Sequence, residues 1–435
     1  MNPNPPADSA QPRRTFLKTS AKVAGAAALA TAWKNPLTAA ERARSIGANE
    51  RIRIAHIGCG SRGRGAHLEN GILPHVKETN FEVVAIADPW KVARERMNGV
   101  VQKAFGRPAK AFVSYRDLLA MDGIDAVMIA SPDHLHTTHL EAAAKARKHI
   151  YVEKPLATDH AKLLKAYDAA KTAQKAGSII QVGTQLRSLP GIAGARELVK
   201  SGTLGKIMRI DESRNGDKPY WYSYLGKDIK KEDVDWAEFL GDSPKQEFDP
   251  RKYSAWYGYY EFCQGPVPQW GAHVLDLMHY VMDCGMPESC MCIGGVTTWK
   301  DENNFTTPDN VIATWMYPEG FVVTSSNNFG NSAGNTRKFF GEKGTLAVDN
   351  WNVPTYSAEG GRKRDGSIRG KVEVTPVPRP DHFRNWLNCV RDGQTPHADI
   401  DAGFQHAVAV MMAVISYDTG RKTIYDKATR AIRTV

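Results

Sequence analysis

The sequence predicts an α/β chain, a doubly wound parallel sheet followed by an α+β domain with a large, mostly antiparallel open sheet. Three observations predict it. From residue 51 an apolar strand runs into a glycine-rich turn that opens a helix. Short apolar strands then alternate with helical stretches as far as residue 182. Beyond about residue 185 the pattern changes to alternating strands separated by turn residues. The chain has 435 residues, 42% hydrophobic and 24% charged. These values exclude a disordered chain, a collagen-like repeat and a small disulfide scaffold, and the length suits two or three domains with their own cores.

The N-terminus reads as an address. Arg13-Arg14-Thr15-Phe16-Leu17-Lys18 precedes the Ala-rich stretch Ala21–Trp33, and Ala30-Thr31-Ala32 and Thr38-Ala39-Ala40 offer cleavage sites. The uncharged run Val23–Trp33 is well short of the roughly 20 residues that a spanning helix needs. The twin arginine followed by Phe-Leu-Lys resembles a twin-arginine (Tat) export signal over residues 1–40, which implies the Tat export machinery as a partner and a periplasmic or otherwise exported location. A disordered basic tail is the alternative.

The net charge is +10, and part of the excess sits in that signal. The remaining basic patch, Arg362-Lys363-Arg364 with Arg369 and Lys371, lies among glycines and reads as a solvated loop, so no nucleic-acid partner is expected. The six cysteines, Cys59, Cys263, Cys284, Cys290, Cys292 and Cys389, match no zinc spacing and read as buried, reduced side chains.

Arg51–Ile57 is the first strand. Gly58-Cys59-Gly60-Ser61-Arg62-Gly63 follows at once, then Gly65–Asn70 can open a helix, and Phe81–Ala87 is a second strand ending in Asp88. This is the dinucleotide-binding pattern G-x-G-x-x-G in its strand–turn–helix context. Gly58 allows the tight turn, Gly60 admits a pyrophosphate, and Gly63 lets helix and strand approach, while the helix N-terminus receives phosphate charge. Asp88 would accept hydrogen bonds from a ribose 2′-hydroxyl and repel a 2′-phosphate, favouring NAD over NADP. A plain glycine turn is the bland alternative. Ala126–Ala130, Thr137–Arg147, His149–Val152, Asp159–Ala176 and Ser178–Val182 continue the alternation as a Rossmann domain over residues 51–184. Ligands bind beyond the carboxyl ends of such strands, where Ser131-Pro132-Asp133-His134-Leu135-His136 and Glu153-Lys154-Pro155 fall.

Residues 185–435 form the second unit. Lys206–Arg214, Cys290–Thr298, Asn310–Tyr317, Phe321–Asn327, Arg337–Phe340 and Thr345–Val348 read as strands, and Trp270–Met282 and Asp399–Thr419 as helices. Thirteen aromatic residues fall between 216 and 262, Tyr220 and Trp221 among them. They either pack a small core of their own or form a stacking wall for sugar rings.

These residues together resemble the Gfo/Idh/MocA family of glucose–fructose oxidoreductase, inositol dehydrogenase and their relatives. Glu153-Lys154-Pro155 resembles its signature, and Ser131–His136 its loop after the third main strand. Gly202-Thr203-Leu204-Gly205-Lys206, Trp270-Gly271-Ala272-His273-Val274-Leu275-Asp276, Phe340–Leu346 and His382–Leu387 are similar to later segments in the same order. The resemblance implies NAD(P), a carbohydrate or polyol substrate, and a second domain used for substrate binding and homo-oligomer contacts, as a dimer or tetramer. It assigns cofactor contacts to Gly58, Gly60, Ser61, Arg62, Gly63, Asp88, Ser131, Pro132, His136, Glu153 and Lys154. It makes Lys154 the holder of the substrate hydroxyl and His273 the acid/base.

Many members carry Asp four residues before that histidine; here Gln269 stands there, and an amide cannot take a proton as a carboxylate can. Asp276, one helical turn after His273, would orient it, and Arg187 would reach the substrate. A near-neutral base suits alcohol oxidation, and a desolvated lysine can supply one as well. Lys154 as a surface charge and His273 as a core histidine are the bland alternatives. A metal is not expected, because His273, Asp276 and His279 lack an established ligand spacing.

Export outside the cytoplasm implies that the nucleotide is held tightly and regenerated in the site. The expected function is therefore an exported oxidoreductase acting on a secondary hydroxyl of a sugar or polyol. An NAD-dependent glycosidase, working by transient oxidation, elimination and re-reduction, is the alternative. A non-catalytic sugar- and nucleotide-binding protein is a third reading, against which Lys154 and His273 argue.

Overall fold

The computed structural model describes residues 50–226, 228–360 and 367–435. The expected export signal and the run Arg362-Lys363-Arg364 lie outside them. The first layer is a six-stranded parallel sheet of β1 (Ile52–Ile57), β2 (Phe81–Ala87), β3 (Lys110–Phe112), β4 (Ala126–Ile129), β5 (His149–Val152) and β6 (Ile180–Val182), in the order β3-β2-β1-β4-β5-β6. Chain order reverses on either side of β1, so a crevice opens between β1 and β4 at their carboxyl ends. The central strands are buried on both faces, as their continuous apolar runs require.

The longer helices that connect these strands are α1 (Arg62–Ile72), α2 (Lys91–Phe105), α3 (His136–Lys145) and α4 (His160–Lys175). Asp159 caps α4 by accepting the Lys162 N–H. The first helix is wound wide, as a π-helix, through the glycine-rich run that follows β1.

After α5 (Pro190–Lys200) the chain builds a ten-stranded sheet. Its strands are β7 (Ile207–Asn215), β8 (Ser289–Gly295), β9 (Asn310–Tyr317), β10 (Phe321–Asn328), β11 (Thr336–Gly341), β12 (Gly344–Ala347), β13 (Thr355–Ala358), β14 (Lys371–Glu373), β15 (Thr423–Asp426) and β16 (Ala431–Thr434). The order is β14-β13-β12-β11-β7-β10-β9-β8-β15-β16, with β7 and β10 the one parallel pair among the described strands of this sheet. Burial alternates along β9 and β10, so one face is covered and the other open. Their hairpin closes at Pro318-Glu319-Gly320, where Gly320 takes φ +83° and donates its N–H to the Tyr317 carbonyl.

Helices α6 (Ala272–Met282) and α8 (Ile400–Thr419) lie between the two sheets, and the apolar core is continuous across them. Asp399 caps α8, and Gly420 ends it in the left-handed region. The division at residue 185 is not followed by the C-terminal part. Helix α7 (His382–Asp392) folds back onto the first sheet, where Trp386, Leu387 and Val390 join Ile52, Ile54, Phe81 and Tyr151 in one cluster. Gly71 of α1 faces α7, where a Cβ would lie 3.0 Å from the Phe383 ring. All six cysteines are free, and all but Cys284 are buried.

Candidate active site

The glycine turn is built from three different constraints. Gly58 has φ +91°, and a Cβ there would lie 2.5 Å from the Ala130 carbonyl carbon and oxygen. A Cβ on Gly63 would lie 2.0 Å from the Gly58 carbonyl oxygen. A Cβ on Gly60 would meet nothing within 4 Å, which leaves the cleft side of the turn open for a phosphate. Asp88, at the end of β2, accepts the Cys59 N–H through Oδ2 (2.6 Å) and the Trp90 N–H through Oδ1 (2.8 Å). Oδ2 keeps a second lone pair, while Oδ1 also accepts a long hydrogen bond from the Tyr253 hydroxyl (3.4 Å). Burial raises the Asp88 pKa, and the two N–H donors oppose that rise. The residues present therefore fit a dinucleotide.

The cleft has a volume of about 570 Å³, within the usual range for small-molecule sites, and Gly60, Ser61, Asp88, Pro132, Lys154 and His273 line it. Glu153, at the end of β5, is buried and accepts from Arg62 (2.8 Å), His67 (2.8 Å) and Gln185 (3.1 Å). Although burial opposes ionisation, Arg62 and His67 hold the carboxyl well below its usual range. The carboxylate is therefore consumed within the protein and positions the turn. His136 is a strut of the same kind, its ring nitrogens 2.7 Å from the Pro155 carbonyl and 2.8 Å from that of Ser131.

Lys154 reaches across to the second unit. Its Nζ donates to the Gln269 carbonyl (2.7 Å), which sits in a wide π-turn, Val267–Gly271, directly before α6. Burial lowers the Lys154 pKa and raises that of Asp133, so desolvation favours the neutral form of both. Asp133 Oδ2 is buried with no partner among the described residues. His273, on the first turn of α6, has its pKa pushed well below 6.5, by burial first and by the Lys154 charge second. Its Nδ1 is buried and unpartnered. A neutral imidazole and a desolvated amine thus meet at the end of a nucleotide cleft. That arrangement can orient a hydroxyl and remove its proton.

Residues 52–184 match the model of an oxidoreductase family with an NAD-binding Rossmann fold, and residues 192–347 match the Gfo/Idh/MocA C-terminal domain. The chain belongs to the Gfo/Idh/MocA oxidoreductase family. It is 32% identical to an inositol 2-dehydrogenase of Rubrobacter xylanophilus over 159 residues, 37% of this chain and 42% of that protein. It is 30% identical to glycosyl hydrolase family 109 protein 2 of a Shewanella species over 182 residues, 38% of each chain. The matches span about half or less of the length of these curated relatives. In fold it is similar to a levoglucosan dehydrogenase solved with NADH and levoglucosan (TM-score 0.63, 17% identity, 86% of this chain and 99% of that one).

Within this Gfo/Idh/MocA chain, four expected substrate residues stand elsewhere. Asp276 does not orient His273; its carboxylate binds Arg187 Nε (2.7 and 2.8 Å) and lies 3.7 Å from His406. One turn of helix puts Asp276 and His273 on adjacent faces, but Asp276 points into the core between α6 and α8. Arg187 is committed to that pair and does not line the cleft. Trp221 is buried in an aromatic cluster with Phe239, Phe262 and Phe305, and Tyr220 packs beside it, so neither forms the cleft wall. Tyr224, Tyr253, Trp256 and Tyr257 of the same segment do line it. Both readings of the aromatic run therefore hold, for different residues. Gln269 lines the cleft, and its side-chain Nε2 is buried without a partner.

Asp133 and Tyr253 also line the cleft, although no role in the site is expected for either from the sequence. Asp133 lies inside the quoted strand-end loop, which was the available signal. Tyr253, whose hydroxyl lies 3.4 Å from Asp88, had none, being 165 residues away.

Asp276→Asn leaves Arg187 buried without its counter-charge. It should cost about 3–5 kcal/mol in urea denaturation while sparing nucleotide affinity. A cost below about 1 kcal/mol, typical of an exposed pair, would contradict the structural role.

Proposed function

We propose that this protein is an NAD-dependent oxidoreductase acting on a secondary hydroxyl of a sugar or polyol. The observation that carries the reading is the meeting of Lys154 and His273 at the end of a cleft that begins at Gly58–Gly63. Bound NAD supplies the hydride acceptor. Lys154 holds the substrate hydroxyl, its amine fixed by the Gln269 carbonyl. Neutral His273 takes the hydroxyl proton, and Asp133 and Glu153 set the charge around Lys154. Gln269 cannot relay that proton, so His273 works without a carboxylate partner.

Lys154→Ala should lower kcat by at least a hundredfold and leave NAD binding within threefold. The base form of His273 is required, and its pKa is lowered, so activity should be lost only as pH falls well below 6.5. Protonated Lys154 is required, and its pKa is lowered too, so the alkaline limb should lie below 10.5. An acid limb at or above pH 6.5, or full activity in Lys154→Ala, would count against these roles.

Asp88 supports NAD over NADP in the proposal, since its carboxylate faces the cleft beside the glycine turn. Asp88→Ala should weaken NAD binding at least tenfold more than NADP binding. Equal loss of both removes Asp88 as the discriminator.

The motif at Arg13-Arg14 supports export through the twin-arginine pathway, and with it a nucleotide retained and regenerated in the site. The similarity to a glycosyl hydrolase family 109 protein favours one alternative, hydrolysis by transient oxidation. Protein recovered from outside the cytoplasm, with no cofactor added, should carry the nucleotide's absorbance. Reduction of that nucleotide by one free sugar and reoxidation by a second compound supports the oxidoreductase. Aglycone release from aryl glycosides with no net change supports the glycosidase. Protein that stays in the cytoplasm or arrives without nucleotide overturns the retention reading.

The open face of the ten-stranded sheet supports a homo-oligomer. Met208, Met291, Ile293, Ile312 and Met316 project from β7, β8 and β9 and are exposed, Ile293 at 70%. Ile312→Lys should shift the protein to monomer in light scattering. A wild-type chain that is monomeric at micromolar concentration refutes the interface.

A further inference from the structure

Beside His273, the covered face of the ten-stranded sheet is polar where packing alone would make it apolar. Glu212 and Arg214 of β7 stand opposite Ser325 and Asn327 of β10, and Arg337 of β11 stands opposite Glu212. Trp270, three residues before His273, lies over this patch. The Arg214 guanidinium is 4.5 Å from its ring centroid and that of Arg337 is 5.1 Å away. Arg337 is also 5.0 Å from the ring of Trp351.

The nearby acids do not neutralise these two cations by contact. Among the described residues no carboxylate lies within 4.0 Å of either guanidinium. Both oxygens of Glu212 are taken by neutral donors, Trp270 Nε1 (2.7 Å) and Ser325 Oγ (2.5 Å). Burial raises the Glu212 pKa, which weakens it further as a counter-charge. The Asp349 carboxylate accepts the backbone N–H of Arg337, and the Arg337 guanidinium has only the Asp349 carbonyl, at 3.5 Å.

Other polar atoms wait in the same place. Asn327 is fully buried, and both ends of its amide lack a partner. Arg337 Nε, Gln269 Nε2, His273 Nδ1 and Tyr220 Oη are buried and unpartnered as well. Each such atom costs stability when left unpaired, and a buried charge such as that of Arg337 costs more. Arg214 also lies over the rings of Tyr220 (5.2 Å) and Phe329 (5.6 Å), and such cation–π contacts do not supply the charge-assisted hydrogen bonds that a guanidinium can make. A ligand that brings an oxyanion would supply the missing partner, since a guanidinium fork matches a carboxylate or phosphate.

We propose that Arg214 and Arg337 receive an oxyanion on the substrate, so that the protein acts on an acidic sugar and not on a neutral one. The proposal rests on the reading that Lys154 and His273 flank the reacting hydroxyl. The oxyanion is a sugar carboxylate or a sugar phosphate ester, and Gln269, which lines the cleft, binds a hydroxyl beside it.

The test uses full-length protein loaded with its nucleotide. Hexuronic acids, their neutral amides, hexose phosphates and neutral hexoses are compared by kcat/KM. Binding of the same panel, and of inorganic phosphate, is followed by tryptophan fluorescence, which Trp270 should report. One acidic class should exceed its neutral counterpart at least tenfold in kcat/KM, and which class does so identifies the oxyanion. Arg214→Gln and Arg337→Gln should each narrow that acid-to-neutral ratio at least tenfold, with the lysine variants intermediate. Arg214 is only partly buried, so Arg214→Gln carries the test if Arg337→Gln does not fold.

Neutral sugars used as well as acidic ones, or an unchanged ratio in Arg214→Gln, overturns the proposal. If no sugar of any class is turned over, the oxidoreductase reading fails, and the binding arm decides the anion site. Tighter binding of one acidic sugar than of its neutral counterpart, lost in Arg214→Gln, upholds it. Binding of inorganic phosphate alone overturns it.

Discussion

The buried carboxylate of Glu153 ties together the parts of this site that the chain brings from far apart. It accepts from Arg62 at the start of the glycine-turn helix, from His67 one turn further on, and from Gln185 beyond β6. It also accepts the backbone N–H of Lys154. A carboxylate that deep is stable only because cationic and neutral donors surround it. Its position therefore fixes the mouth of the nucleotide cleft, and the next residue, Lys154, starts from a rigid point. Arg62 stays nearly half exposed while its partner is only 4% exposed, so charge is neutralised at the cleft wall without closing it.

From that anchor the chain also reaches across to the second unit. Lys154 leaves the first sheet and donates to the Gln269 carbonyl, which the wide turn before α6 presents to it. Two turns of non-standard helix, one after β1 and one before α6, thus face each other across the cleft. The desolvation that results favours the neutral forms of Lys154 and His273. The same packing leaves Arg214 and Arg337, beyond His273, over aromatic rings and without a carboxylate within 4.0 Å, which in the proposal makes the covered sheet face a recognition surface as well as a wall.

The nucleotide half was legible because its constraints are local. A positive φ at Gly58, close approach at Gly63 and an acid closing β2 are set by neighbours within one β-α-β unit, and each leaves a residue signature. The substrate half was only partly legible. Asp276 lies one turn from His273 in sequence, yet Arg187 and His406 claim it, and no spacing rule discloses partners 89 and 130 residues away. Likewise Tyr220 and Trp221 carry the same composition signal as Tyr224 and Trp256, and only packing divides them into core and wall.

The sequence by itself determined the class of fold, the glycine turn, the acid at Asp88 and the identity of Lys154 and His273 as site candidates. Periodicity, turn chemistry and short motifs act over a few residues, so they survive in one dimension. Tertiary structure alone decided which of the buried charges are spent inside the protein, as at Glu153 and Asp276, and which stay unspent, as at Arg214 and Arg337. It also sent helix α7 back to cover the first sheet, because apolar side chains there must be buried by whatever segment can reach them. Burial and charge pairing depend on contacts between distant residues, and those contacts exist only in the folded chain.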